Sequence, residues 1–103
     1  MPTDQQFLEQ AITLAIENKK KGGRPFGAVI VKDGEVLAIG VNNMLATFDP
    51  SSHAEMEAIR KATTSTHALD LKGCKIYASG QPCPMCLAAI AITNISEIFY
   101  AFG

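Results

Sequence analysis

Apolar side chains recur at Leu8, Ala11, Ile12, Ala15 and Ile16, the three- and four-residue spacing of one helical face. Thr3 or Asp4 fits the N-cap and Gly22-Gly23 supplies the stop, so the pattern predicts a first helix over Asp4 to Lys21. The helical period then disappears. Phe26-Gly27-Ala28-Val29-Ile30-Val31 is apolar without a break, as in a strand buried on both faces. Asp33-Gly34 tolerates the positive φ angles of a two-residue hairpin turn, and Val36 to Val41 is expected to return antiparallel. Asn42 to Ser52 is polar, carries an Asp49-Pro50 turn signal and reads as a loop.

A second helix is expected from about His53 to Ala62, where Ala-Glu-Met-Glu-Ala-Ile-Arg-Lys-Ala is rich in helix formers. Thr63 to Gly73 reads as a connector. Ile76-Tyr77-Ala78 centres a third strand, Pro84 to about Thr93 a third helix and Ile98 to Phe102 a fourth strand. The order α-β-β-α-β-α-β predicts a layered α/β domain with a parallel strand pair formed across the third helix. Leu87-Ala88-Ala89-Ile90-Ala91-Ile92 is apolar all round, the pattern of a helix buried on every side. The fourth strand would make a poor exposed edge. In so small a domain these two features predict a homo-oligomer, a dimer or higher assembly, packed through the third helix.

Composition narrows the function classes. The 103 residues are 48% hydrophobic and 18% charged, which suits one small globular domain with its own core. Nine basic against ten acidic residues give a formal charge of −1, which argues against a large nucleic-acid surface. The basic cluster Lys19, Lys20, Lys21 and Arg24 reads as a solvated helix end. No charged start followed by an apolar run suggests a secretory signal, and no stretch is apolar enough to span a bilayer. Three cysteines, two of them in a C-x-x-C, then read as metal or redox chemistry in a reducing compartment, and the expected location is the cytoplasm.

The chemistry concentrates in His53-Ala54-Glu55 and Pro82-Cys83-Pro84-Met85-Cys86. Cys83 and Cys86 lie three apart, so on a first helical turn both sulfurs share a face, and Pro84 sits where a missing N–H costs nothing. His53 opens the second helix in the same way. Two positive helix ends facing one point would stabilise thiolates. Three protein ligands leave a fourth tetrahedral position for water, the layout of a catalytic zinc. Glu55 is close enough to receive that water's proton and pass it to a leaving group. Taken singly, His53 could be a capping residue, Glu55 a first-turn carboxylate, and the cysteines a redox pair or half a structural zinc site. The combination outweighs these readings.

H-x-E together with P-C-x-x-C is the known signature of zinc nucleobase deaminases, so the match is one of recognition. The chain resembles the cytidine/deoxycytidylate deaminase superfamily and is most similar to bacterial guanine deaminases and related small nucleobase deaminases. Further matching segments are Arg24-Pro25-Phe26-Gly27-Ala28-Val29-Ile30-Val31, Asn42-Asn43, Asp49-Pro50 and Ser52-His53-Ala54-Glu55-Met56-Glu57-Ala58-Ile59-Arg60. The resemblance implies a three-layer cytidine-deaminase-like fold, with a mixed sheet and helices on both faces. It implies a hydrolase that replaces an exocyclic amine of a small-molecule base with oxygen, guanine first among the purines. By position His53, Cys83 and Cys86 would hold one zinc per chain, and Glu55 would shuttle protons. Asn42 and the Ala54 N–H would bind the base, with Phe26 and, more weakly, Phe48 offering aromatic faces.

The resemblance leaves other readings open. These are deamination of adenosine in transfer RNA, deamination of cytosine or cytidine, and a zinc-stabilised domain without turnover. Relatives often carry glutamate just before the Pro-Cys, where this chain has Gln81. The family also continues past the position of Gly103 with further helix and strand. Residues 1–103 are therefore expected to be a deaminase-like domain lacking those elements, whether shortened naturally, cut from a longer chain or completed by a partner. Outside the motifs, Cys74 reads as a small buried residue, His67 as surface, and Tyr77 and Tyr100 as core strand residues with a polar tip.

Overall fold

The computed structural model describes residues 2–103. Helix α1 spans Asp4–Lys20, with Thr3 accepting from the Gln6 N–H and the Gln6 side chain returning to the Thr3 N–H. This reciprocal cap satisfies two of the donors that every helix start leaves free. Strands β1 (Gly27–Lys32) and β2 (Glu35–Val41) form the expected hairpin. Asp33 and Gly34 both take positive φ, 53° and 79°, which matches the turn to the strand twist. A short helix α2 (Met44–Thr47), α3 (Ala54–Thr66), β3 (Cys74–Gly80), α4 (Pro84–Ile92) and β4 (Glu97–Phe102) complete the described chain.

The sheet order is β2-β1-β3-β4, antiparallel except for the β3–β4 pair, which is parallel across α4 as expected. From Gly27 to Val31, β1 is buried at every residue because both faces of the sheet are covered. On one face Phe7 and Ala11 of α1 pack on Val29, Val31 and Tyr77. On the other Ala54, Ala58, Ile59 and Ala62 of α3, with Ile90 of α4, pack on Ala28, Ile30, Ala38 and Ile76. This is the three-layer α/β arrangement, with a mixed sheet between helices.

Several local expectations change. The loop after β2 contains α2, whose last N–H, on Thr47, donates to the Asn43 carbonyl at 3.0 Å. Helix α3 runs four residues beyond Ala62, to Thr66. Thr63 and Thr66 are weak helix formers, but their hydroxyls donate to the Ile59 and Ala62 carbonyls, and His67 ends the helix in the left-handed region at φ 53°. Phe26 precedes β1 instead of opening it. Helix α4 buries only Cys86 and Ile90, and Ile92 is 79% exposed, so its apolar surface is not enclosed by this chain. Tyr100 lies on the exposed side of β4, whereas Tyr77 is buried as expected and stacks on Phe99 at 4.8 Å. Cys74 is buried at the start of β3 and His67 is exposed.

Candidate active site

His53 and Cys83 are the N-cap residues of α3 and α4, and neither spends its side chain on its own helix. Both side chains are therefore free to turn toward the point where the two helix ends meet. Pro84 occupies the first turn of α4, and Cys86 follows within it. Cys83 Sγ lies 3.5 Å from His53 Nδ1, Cys86 Sγ lies 3.6 Å from the same nitrogen, and the two sulfurs are 3.6 Å apart. A tetrahedral zinc with bonds of about 2.3 Å to sulfur and 2.0–2.1 Å to nitrogen places two sulfurs about 3.8 Å apart and sulfur about 3.5 Å from nitrogen. The triangle fits that ion, and its donor set of two thiols and one imidazole suits zinc's preference. Among the described residues it is the only cluster of this kind.

Electrostatics favour the same conclusion. Burial, with Glu55 and Cys83 adding to it, pushes the Cys86 thiol well above its ordinary range. A buried thiol facing a second sulfur and a carboxylate ionises only if a cation compensates it. Glu55, the second residue of α3, is itself buried. Burial raises its carboxyl above the usual glutamate value, against smaller opposing effects from a backbone hydrogen bond, His53 and Cys86.

A polar clasp fixes the approach to His53. Asp49 Oδ1 accepts from the Ser51 N–H at 2.8 Å and the Ser51 hydroxyl at 2.7 Å, and these two bonds hold its carboxyl below the usual aspartate value. The Ser52 hydroxyl donates to Glu57 at 3.0 Å, Arg60 pairs with Glu57, and Arg60 Nη2 donates to the Ser51 hydroxyl at 3.2 Å. The loop is thus tied to the first turns of α3. From the sheet side, a Cβ on Gly40 would stand 2.3 Å from the Ala54 carbonyl oxygen and 2.5 Å from the Ala58 nitrogen. The glycine lets β2 and the start of α3 touch through their backbones.

Beside the triangle opens a cavity of about 230 Å³. Phe26, Asn42, Ala54 and Glu55 line it together with His53 and Cys83, while Cys86 is buried behind them. Phe48 does not line it: the residue is the left-handed cap of α2 and is 92% exposed. Arg24, Met44 and Gln81 complete the wall. Arg24 thus lies at the pocket and not at a helix end. Met44 has no sequence signal, and Gln81 stood out only as a departure from the family's glutamate.

A family model for the cytidine and deoxycytidylate deaminase zinc-binding region matches residues 1–102, and the chain belongs to that family. It is 51% identical over 96 residues to guanine deaminase from Bacillus subtilis, covering 92% of this chain and 62% of that protein. It is 36% identical over 95 residues to a tRNA-specific adenosine deaminase from Aquifex aeolicus, covering 92% and 63%. The crystal structure of the Bacillus subtilis guanine deaminase superimposes with a TM-score of 0.96 at 48% identity, covering 98% of this chain and 65% of that one. The chain therefore spans somewhat less than two thirds of these relatives' length.

Proposed function

We propose that residues 1–103 form a zinc-dependent deaminase domain that hydrolyses the exocyclic amine of a purine base, guanine first, and releases ammonia. The observation that carries this reading is the meeting of His53, Cys83 and Cys86 beside one pocket, whose wall also contains the buried Glu55 carboxylate. Those three side chains would hold one zinc per chain, which would supply Lewis acidity to make a water nucleophilic near neutral pH. Glu55 would accept a proton from the attacking water and deliver it to the departing amine. The Ala54 N–H belongs to the first helical residue, which has no acceptor within its helix, and is available to the base. Asn42 Oδ1 accepts from the Met44 N–H, which leaves the Asn42 amide as a donor toward a ring carbonyl or nitrogen. Phe26 offers a face against which the base stacks.

Guanine is favoured by the 51% identity to a guanine deaminase. Ammonia release from a panel of guanine, adenine, cytosine and their nucleosides tests the choice, with guanine expected to be fastest. The 36% identity to a tRNA-specific adenosine deaminase supports a second reading, which the near-neutral charge disfavours. A gel shift with transfer RNA at low salt separates the two. Zinc bound without turnover of any base would reduce the chain to a metal-stabilised domain.

Two further features belong to this reading. The exposed apolar surface of α4 and the unpaired edge of β4 support a homo-oligomer, and light scattering at micromolar concentration showing a monomer would contradict it. No helix among the described residues is long and apolar enough to cross a membrane.

A further inference from the structure

Asn18, in the last turn of α1, is buried at 9% exposure and belongs to neither motif. Its Nδ2 donates to two carbonyls at once, that of Arg24 at 2.8 Å and that of Asn42 at 2.9 Å. Both recipients line the pocket. They stand on the segments that lead into β1 and out of β2, so a single amide joins the two ends of the hairpin to α1. The preceding loop closes over it. The Gly23 N–H returns to the Asn18 carbonyl at 2.9 Å, and a Cβ on Gly23 would stand 2.6 Å from Asn18 Nδ2.

Asn42 makes the consequence specific. Its N–H donates to the Phe26 carbonyl at 3.3 Å, its carbonyl accepts from Asn18, and its Oδ1 accepts from the Met44 N–H at 3.1 Å. Its Nδ2 donates to no group among the described residues. Since no fully buried side-chain nitrogen or oxygen among the described residues lacks a partner, that nitrogen keeps some exposure, and Asn42 lines the pocket. Without Asn18 the Asn42 carbonyl would be a buried acceptor without a donor, and relief would require the residue to move.

We propose that Asn18 is a positioning residue, fixing the backbones of Asn42 and Arg24 so that the Asn42 amide presents its donors to the acceptor edge of the substrate. The proposal rests on the reading that the pocket takes a base, and its test separates the two. Asn18→Ala, Asn42→Ala and the double variant are made in the full zinc-loaded chain, with Phe7→Leu as a control for destabilisation near α1. Asn18→Ala is expected to raise KM for guanine about tenfold, the effect of one lost charge-free hydrogen-bond arrangement, while kcat changes less and zinc stays bound. In the Asn42→Ala background the same change adds less than about twofold, because the two residues act as one unit. Multiplying single effects, or an equal rise in KM for Phe7→Leu, would overturn the proposal.

A second readout needs no substrate. The Asn42 side-chain amide resonance should move in Asn18→Ala and stay in place in Phe7→Leu. If the protein deaminates no base, the functional reading fails, and this resonance decides the positioning role alone: displaced, it stands; unmoved, it falls. Should Asn18→Ala not fold, Asn18→Ser retains one donor and is expected to give a smaller displacement and an intermediate KM.

Discussion

On the α1 face of the sheet Phe7, Tyr77 and Phe99 fill the space with rings, whereas on the α3 face Ala28, Ala38, Ala54, Ala58 and Ala62 sit among Ile30, Ile59, Ile76 and Ile90 with no ring. Ring burial supplies area, and each fully buried large side chain is worth about 1.5–3 kcal/mol. Small residues supply less area but allow backbones to approach. At Gly40 the approach places β2 against Ala54, the residue between His53 and Glu55. The position of those two side chains is thus set by main chain against main chain, with little room for a rotamer to change it. The ring-packed face carries stability; the alanine face carries stability and also sets where His53 and Glu55 stand.

That division can be broken at the metal. Chelating zinc, or replacing Cys86 with serine, should bring deamination to background and lower the melting temperature together. The stability lost is expected to be about 2.7 kcal/mol where free zinc stands a hundredfold above its Kd. Chelation that abolished turnover without moving the melting temperature would show that the α3 face does not depend on the ion for stability.

Gly40→Ala sharpens the comparison without touching a ligand. The new methyl has no space, α3 must shift, and about 1–3 kcal/mol of stability should be lost. Because the shift falls at Ala54, kcat/KM should drop by more than the folded fraction does, as read by urea unfolding beside steady-state rates.

The smallest effect belongs to the α1 face. The Tyr77 hydroxyl donates to Asp4, and Tyr77→Phe should cost about 0.5–1.5 kcal/mol while leaving zinc content and turnover unchanged. Burial first, then Asp4, raises the Tyr77 phenol above the ordinary tyrosine range. The folded state therefore holds this proton more tightly than the unfolded state, and stability should decline as pH rises past about 10. Urea unfolding between neutral and alkaline pH should show a shallower decline for Tyr77→Phe. A fall in turnover for this variant at equal zinc content would contradict the division between the faces.

Much of this architecture was legible from local pattern. The unbroken apolar run at β1 announced a strand covered on both sides, and Asp33-Gly34 announced the hairpin because few other pairs accept two positive φ angles. The two cysteines were legible as a pair because they lie three apart on one first helical turn, and His53 stands at another helix start, but that the two helix ends meet is a property of the fold. The extension of α3 was hidden, since its threonines are held by hydroxyl bonds that propensity does not count. The exposed side of α4 could not be read from a helix apolar all round, because which side meets the sheet depends on the fold. Arg24 and Gln81 reach the pocket from loops, Met44 from the start of the short helix α2, and Asn18 reaches Asn42 across 24 positions. Long-range hydrogen bonds of that kind leave no periodic trace.

In the proposed mechanism Glu55 would carry the proton beside a zinc held by His53, Cys83 and Cys86. Its most direct test is ammonia release from guanine by the zinc-loaded protein and by Glu55→Ala, with zinc measured in both. The expected result is about one zinc per chain in each, and a rate about 10²–10⁴-fold lower in the variant. Equal rates in the two proteins, or no release from any base by zinc-replete wild type, would contradict it.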